Sequence, residues 1–560
     1  GRWLTPAACG RDPDDGLERD ALSGRPRVGA PACKREGPGH LRAVRGLADV
    51  LRTFAAGAWC ALLAGYLIFN KPFAALGVHP VYVGELTLGL ALLALASRFR
   101  AVFVEPLQRS WTFRLIALFC VYGLIRAALG VPRYGSWAVR DGVIAIYAVA
   151  AFIAPALWGE LVRGPDATTH PVAQAAPGPF SRAAFWLLPA SLVAALWSLA
   201  ALEGWAPAQA LRGVKVDLLA VSAAIAGWVW FTAAAKWCPY SSLATRHSSL
   251  VTRHSSLVAA ALALGGVWLM LELPVRAVWL SLGPLALVAV AALAHTWRRR
   301  VALGAGVGVL ALLAWAWLGA GPLEVFARVD RKYALGANLD APIEKPETQS
   351  QVTPENSGTL VLDNPTGKTA KEVGERLGSL LNTDLQRFET EAGRLGALSV
   401  EWRAAFWVRC VRYTLHNASL FGIGFGPNLT NLLRETPAWP LYLDSMRLDP
   451  PNRNPHCAHI TIFTRLGLVG VALWVGILAS VCWSVLAALW RCRERAQSGA
   501  AAEARAEFWD MLAVFGVWVI FLWAMSFGVI LEGPMGGIWF WSVTGALAMW
   551  SDAWARRPAC

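Results

Sequence analysis

About twelve long apolar runs, separated by short polar stretches, constrain this chain more than any other feature. Their approximate limits are 52–70, 79–97, 111–130, 142–159, 184–202, 216–235, 256–272, 277–294 and 301–319, then 461–489, 509–530 and 534–550. Most reach the roughly 17–25 residues a helix needs to cross a bilayer. Backbone polar groups in lipid must bond internally, so helices are the expected form. Composition agrees, since a soluble chain of 560 residues would need more charge than 16% to cover a 56% hydrophobic sequence. Its 29 tryptophans suit a membrane–water interface. The expected fold is an all-α polytopic membrane protein of about twelve transmembrane helices, with a large, partly helical outer loop between the ninth and tenth.

The basic residues orient the spans. With the N-terminus inside, the inner segments hold Arg98, Arg100, Arg109, Arg163, the Arg298–Arg300 run, Arg491, Arg493 and Arg495 among others. The short outer loops hold about six basic residues, including Lys71, Arg133, Arg140 and Arg212, a roughly threefold inward bias. Both termini are then cytoplasmic, and the polar stretch 320–460 lies outside an inner, or plasma, membrane. The expected organisation is a basic, disordered tail over 1–50, nine helices over 51–319, the outer loop 320–460, three helices over 461–550, and a short tail 551–560. The chain begins at Gly1 and its first methionine is Met270, which points to a fragment or a displaced start; no function is assigned to the tail.

Several functions are disfavoured. The net charge of +14 is spread between apolar runs, where lipid headgroups would meet it, so nucleic acid is not expected as a partner but membrane lipids are. The ten cysteines form no CxxC pair or zinc-type spacing, and no carboxylate pair stands out, so neither a metal nor a cofactor is expected. Cys410 and Cys457 lie in or beside the outer loop and can be read as a disulfide or as two buried thiols. A seven-residue repeat at 241–258 contains His247 and His254; it reads as a low-complexity insertion in an inner loop.

A connection as long as 320–460 is expected to carry structure or function. Residues 368–398 are helical and amphipathic in pattern. From Trp402 a second helix follows, with Arg403, Trp407 and Val411 on one face, and it breaks at Gly422, Gly424 and Gly426. Such glycines fit either a phosphate loop or a turn. Beyond them, His456 follows a proline at the mouth of the tenth span, and His459 lies one turn further on.

The Arg403-x3-Trp407 helix, the GIGFGPN turn and the His456-x10-Gly467-x2-Gly470 run resemble the signature of the O-antigen ligase and polymerase superfamily. The resemblance spans most of the chain from about residue 50 and is specific around 403–470. Cys457, where asparagine is usual, and Arg465, at an often acidic position, depart from the pattern. The resemblance implies a metal-independent membrane glycosyltransferase of lipopolysaccharide or polysaccharide biosynthesis. Its donor would be a glycan on undecaprenyl pyrophosphate, and its acceptor a lipid A-core, a glycan or a protein. It also implies an arginine at the outer end of the eighth span, which Arg276 supplies.

Such a transfer needs the leaving diphosphate stabilised and an acceptor hydroxyl deprotonated. Arg276 and Arg403 are candidates for the first task, since a guanidinium binds phosphate bidentately and keeps its charge. Arg409 and Arg412, with Gly422 and Gly424, are candidate substrate-binding residues. A neutral imidazole suits the second task, so His456 is the candidate base. The competing readings are a polymerase of the same superfamily, a transporter or flippase, and a structural scaffold. Transport is disfavoured by the absence of a convincing half-repeat and by the peripheral position of Glu85, Asp141, Asp217 and Glu272.

Overall fold

The computed structural model describes residues 38–74, 76–78, 81–162, 402–434, 436, 453–497, 501–526, 528 and 530–557, and isolated positions between 193 and 233. Expected spans 256–272, 277–294 and 301–319, most of 184–202, the 241–258 repeat and residues 320–401 lie outside these. The chain divides into two compact units, Gly1–Ala48 and Asp49–Cys560. Of the first, only a helical stretch from Pro38 is described. The helix bundle belongs to the second.

The described residues are mostly helical. The helices are α1 (Pro38–Ala74), α2 (Val83–Leu95), α3 (Glu105–Arg109), α4 (Trp111–Tyr134), α5 (Ser136–Ile146), α6 (Ala150–Val162), α7 (402–417), α8 (Asn431–Arg434), α9 (Ala458–Gln497), α10 (Ala501–Ala524) and α11 (Pro534–Ala555). A two-residue antiparallel pair, Gly77–Val78 against Val81–Tyr82, links α1 to α2. Among the described residues, five stretches are long and apolar enough to cross a membrane: Ala48–Phe69, Trp111–Tyr134, Ser136–Glu160, Ala458–Ala496 and Ala504–Ala524. A sixth would be the pair Val83–Arg98 and Arg100–Arg109, bent by 100°. The bend accompanies a π-helical stretch, Arg100–Val104, and Pro106, both ordinary causes of kinks. These stretches fall where the apolar runs lead one to expect them, and the arrangement is that of a helical membrane protein.

Burial follows the same logic. Along α4, Leu118, Val121, Ile125 and Leu129 are more than half exposed, while Phe113, Ile116 and Phe119 are buried. An outward apolar stripe of this kind is costly in water and normal in lipid. Small residues bring the backbones close: a Cβ added at Gly545 of α11 would fall 1.8 Å from the Ala151 carbonyl of α6. One added at Gly123 of α4 would meet the Ala145 methyl at 2.2 Å. Packing through small residues is what holds helices together where lipid removes the hydrophobic contrast. Between them runs an aromatic core of Phe119, Trp474, Trp518, Phe540 and Trp541, with ring centroids 5.3–6.1 Å apart.

The charged side chains collect at two ends. At one, Arg98 pairs with Glu160, Arg557 with Glu507 at 3.1 Å, and Arg495 and Arg557 lie on Trp554. At the other, the α4–α5 turn meets the glycine turn after α7, the 453–457 segment and the 530–533 turn.

Candidate functional site

The second end is built around a break in a helix. Gly467 interrupts α9 with φ 65° and ψ −161°, a conformation only glycine adopts comfortably. The break leaves backbone groups unpaired on both sides, and the turn after α7 takes them up. The amides of Ile423 and Gly424 donate to the carbonyls of Thr464 and Arg465, at 2.9 and 3.0 Å. In return the amides of Leu468 and Val469 donate to Ser419 and Leu420, at 2.9 and 3.1 Å. Tyr122 of α4 offers its hydroxyl to the Leu466 carbonyl at 2.9 Å and to that of Phe421 at 3.1 Å. Irregular backbone at membrane depth is tolerated only when protein satisfies it in this way. Gly422 and Gly467 are glycines because they touch: a Cβ on either would lie 2.4–2.5 Å from the other's amide nitrogen.

Gly422, Gly424 and Gly426 all have positive φ, 69°, 82° and 109°. Their amides are engaged within the protein, with Ala418, Arg465 and the Asp141 carboxylate respectively. A phosphate-cradling loop needs its N–H groups free, so here the turn serves the helix break. The carbonyls of the turn face arginines. Arg126 of α4 donates to Gly422 at 2.7 Å, Arg453 to Gly426 at 2.5 Å, and Arg465 to Pro427 at 2.8 Å and Gly424 at 3.3 Å.

Arg465 is the centre of this network. Its side chain is 1% exposed and ion-pairs at 2.8 Å with Asp141 of α5, itself 5% exposed. It also donates to Asn454 at 3.3 Å. Where the resemblance leads one to expect an acidic residue at 465, an arginine stands instead, and its carboxylate partner comes from α5. Nearby, part of Glu532 reaches the surface, but both carboxylate oxygens are enclosed and meet no hydrogen-bond partner at standard geometry among the described residues. Burial pushes its pKa up to about 7, with Asp141 adding to the rise; Thr461, Arg465 and Asn454 oppose it. The Thr461 hydroxyl also donates to the Cys457 carbonyl at 3.0 Å.

The two histidines differ sharply. Trp474 donates its indole N–H to Nδ1 of His459 at 3.0 Å, and an indole can only donate. His459 therefore carries its proton on Nε2, which faces the Ser526 hydroxyl at 3.0 Å. With its lone pair occupied, His459 is a structural residue. His456 is buried and is, among the described residues, the one non-glycine with positive φ, 55°. Its ring stands perpendicular to that of Trp402, with centroids 5.4 Å apart. The Arg403 guanidinium lies 5.6 Å from the same indole. Next along α7, Trp407 donates to the Pro455 carbonyl, which ties the helix to the His456 segment.

Of the other sequence candidates, Arg409 is buried and donates through Nε to the Leu432 carbonyl at 3.2 Å, while Arg412 is exposed. Arg276 lies outside the described residues. Cys410 and Cys457 are free and buried; burial raises both thiols, Cys457 to about 11. Sequence reasoning missed Arg126, Asp141, Arg453, Asn454 and Glu532 as members of this end. Among the described residues no group of three or more His, Cys, Asp or Glu could hold a metal ion. No protein-family model matches the chain, and no curated protein matches it.

Proposed function

We propose that this chain is a membrane glycosyltransferase of the O-antigen ligase type, moving a glycan from undecaprenyl pyrophosphate to a lipid A-core or similar acceptor. The end bearing His456 faces the periplasm, as the inward bias of basic residues supports. Outside the cytoplasm no nucleotide sugar is available, so the donor arrives activated as a lipid diphosphate. His456 accepts the proton of the acceptor hydroxyl as its oxygen bonds to the sugar's anomeric carbon. The bond from that carbon to the diphosphate breaks, and Arg403, with Arg276, carries the charge that develops on the leaving group.

The observation that carries this reading is the shared contact of His456 and Arg403 with Trp402. It brings an imidazole and a guanidinium to one indole, and the imidazole sits on a strained backbone, a feature that clusters at functional sites. The test is reconstitution with an undecaprenyl-pyrophosphate glycan and a lipid-core acceptor. His456→Ala and Arg403→Ala are each expected to lower transfer by on the order of 10² or more. Equal transfer by wild type and both variants would remove the site.

A second reading is favoured by the break at Gly467 and the buried Arg465–Asp141 pair, since carriers use discontinuous helices and intramembrane charges. Solute counterflow in proteoliposomes, without a covalent product, would establish it.

A further inference from the structure

Glu85 stands in the first turn of α2, within the bent pair of helices that would form the sixth span. An ionisable group so placed is costly unless it has a partner or a task. Among the described residues no basic side chain pairs with it. Both of its oxygens accept hydrogen bonds, Oε1 from the Tyr147 hydroxyl at 2.6 Å and Oε2 from the Tyr82 amide at 3.2 Å. An ionised carboxylate, which can only accept, suits that arrangement. The N-terminus of α2 offers it at most about half an elementary charge in compensation. Tyr66 of α1 brings a further oxygen to the same place. Its side chain is 3% exposed, and its hydroxyl is enclosed without a hydrogen-bond partner. A Cβ added at Gly84, next to Glu85, would fall 2.3 Å from that hydroxyl, 3.2 Å from Pro534 and 3.4 Å from Ile538. Only glycine leaves the phenol room to reach the start of α2. Tyr66, Glu85 and Tyr147 are electrostatic neighbours.

We propose that Glu85, Tyr66 and Tyr147 form a binding site for one monovalent metal cation such as sodium. Hard cations take oxygen ligands, and these three side chains present nothing else. Tyr147 has given its proton to Glu85, and the Tyr66 hydroxyl is committed to nothing, so both phenol oxygens keep lone pairs for an ion. A single carboxylate balances a single charge, whereas a divalent ion would leave an excess away from water. Gly84, Pro534 and Ile538 close round the Tyr66 hydroxyl, so the guest is a bare ion rather than an organic ammonium. Bound there, it ties α1, α2 and the junction of α5 with α6 together. The site involves none of the residues given a part in glycan transfer, and it stands independently of that reading.

The test needs no turnover, so its failure and that of the transferase reading are distinguishable. Full-length protein in detergent is unfolded by heat in choline chloride, with sodium chloride replacing it stepwise at constant ionic strength and calcium chloride run as a separate arm. A ligand that binds only the folded state raises the melting temperature as its concentration passes the dissociation constant. Wild type is expected to show a saturable rise with sodium and a smaller one with calcium. Glu85→Gln keeps an acceptor for Tyr147 and is expected to lose the sodium response. Tyr66→Phe removes a hydroxyl that bonds to nothing, so it is expected to melt at or above wild type in choline. It is also expected to need several-fold more sodium for half of the rise. A wild type indifferent to sodium, a calcium response larger than the sodium one, an undiminished response in Glu85→Gln, or an unchanged sodium midpoint in Tyr66→Phe would each overturn the site.

Discussion

Arg465 of α9 and Asp141 of α5 form a 2.8 Å ion pair that is almost wholly withdrawn from solvent. It joins the broken helix to α5, and its guanidinium also holds the Pro427 carbonyl. Taking such charges out of water is costly, so the pair makes a weak contribution to stability as a whole but a large one once half of it is removed. Asp141→Ala leaves Arg465 buried and unpaired, with an expected loss of about 3–5 kcal/mol. Adding Arg465→Leu to it is expected to recover part of that loss. Chemical denaturation of the detergent-solubilised variants measures both; a double variant less stable than Asp141→Ala would refute the pairing.

The close approach of Gly422 and Gly467 gives a second expectation. Gly467→Ala must adopt a conformation that costs a residue with a Cβ on the order of 1–3 kcal/mol, and its methyl meets the Gly422 amide at 2.4 Å. Gly89→Ala, where a Cβ meets nothing within 4 Å, serves as control and is expected to be neutral or slightly stabilising. A lower melting temperature for Gly467→Ala and an unchanged one for Gly89→Ala are the predicted pair of results.

Legibility in the sequence depends on what each signal measures. Hydropathy locates spans such as Trp111–Tyr134 and Ser136–Glu160 because burial in lipid averages over a whole turn. The same average hides the break at Gly467, since LGLVGV is apolar whether its backbone is helical or not. The glycine turn was readable as a turn, because three alternating glycines signal positive φ. Its partners were not: Arg126 and Arg453 meet it from positions some 300 residues and some 30 residues away in sequence. Glu532 gave no signal at all, for its raised pKa depends on burial that only the packed bundle supplies. The distinction between His456 and His459 likewise required Trp474, which lies 15 residues beyond His459.

His456 combines a proposed catalytic role with a backbone conformation that disfavours it. The two are separable by substitution. His456→Gly removes the imidazole and relieves the positive φ, whereas His456→Ala removes the imidazole and keeps the strain. Both are expected to lose glycan transfer. The glycine variant is expected to melt above the alanine variant by the equivalent of ~1 kcal/mol. A glycine variant no more stable than alanine would contradict the strain and, with it, part of the case for His456.

Glu532 makes stability depend on pH in a defined window. Its carboxyl is raised by burial from the ordinary carboxylate range to about 7, so the folded protein holds this proton more tightly than the unfolded chain does. Below the ordinary value both states are protonated and the favourable contribution is complete. As pH rises towards 7 the unfolded chain releases its proton first, and folding becomes progressively less favourable. Above 7 the loss is complete, because the charge is then enclosed in the folded state as well. Melting temperature is therefore expected to fall as pH rises from about 5 to about 8. Glu532→Gln is expected to flatten that part of the profile while keeping the side chain's shape. The groups facing Glu532 are Thr461, Arg465, Asp141, Asn454 and Cys457. A variant that retained the wild-type slope would place the titrating group elsewhere.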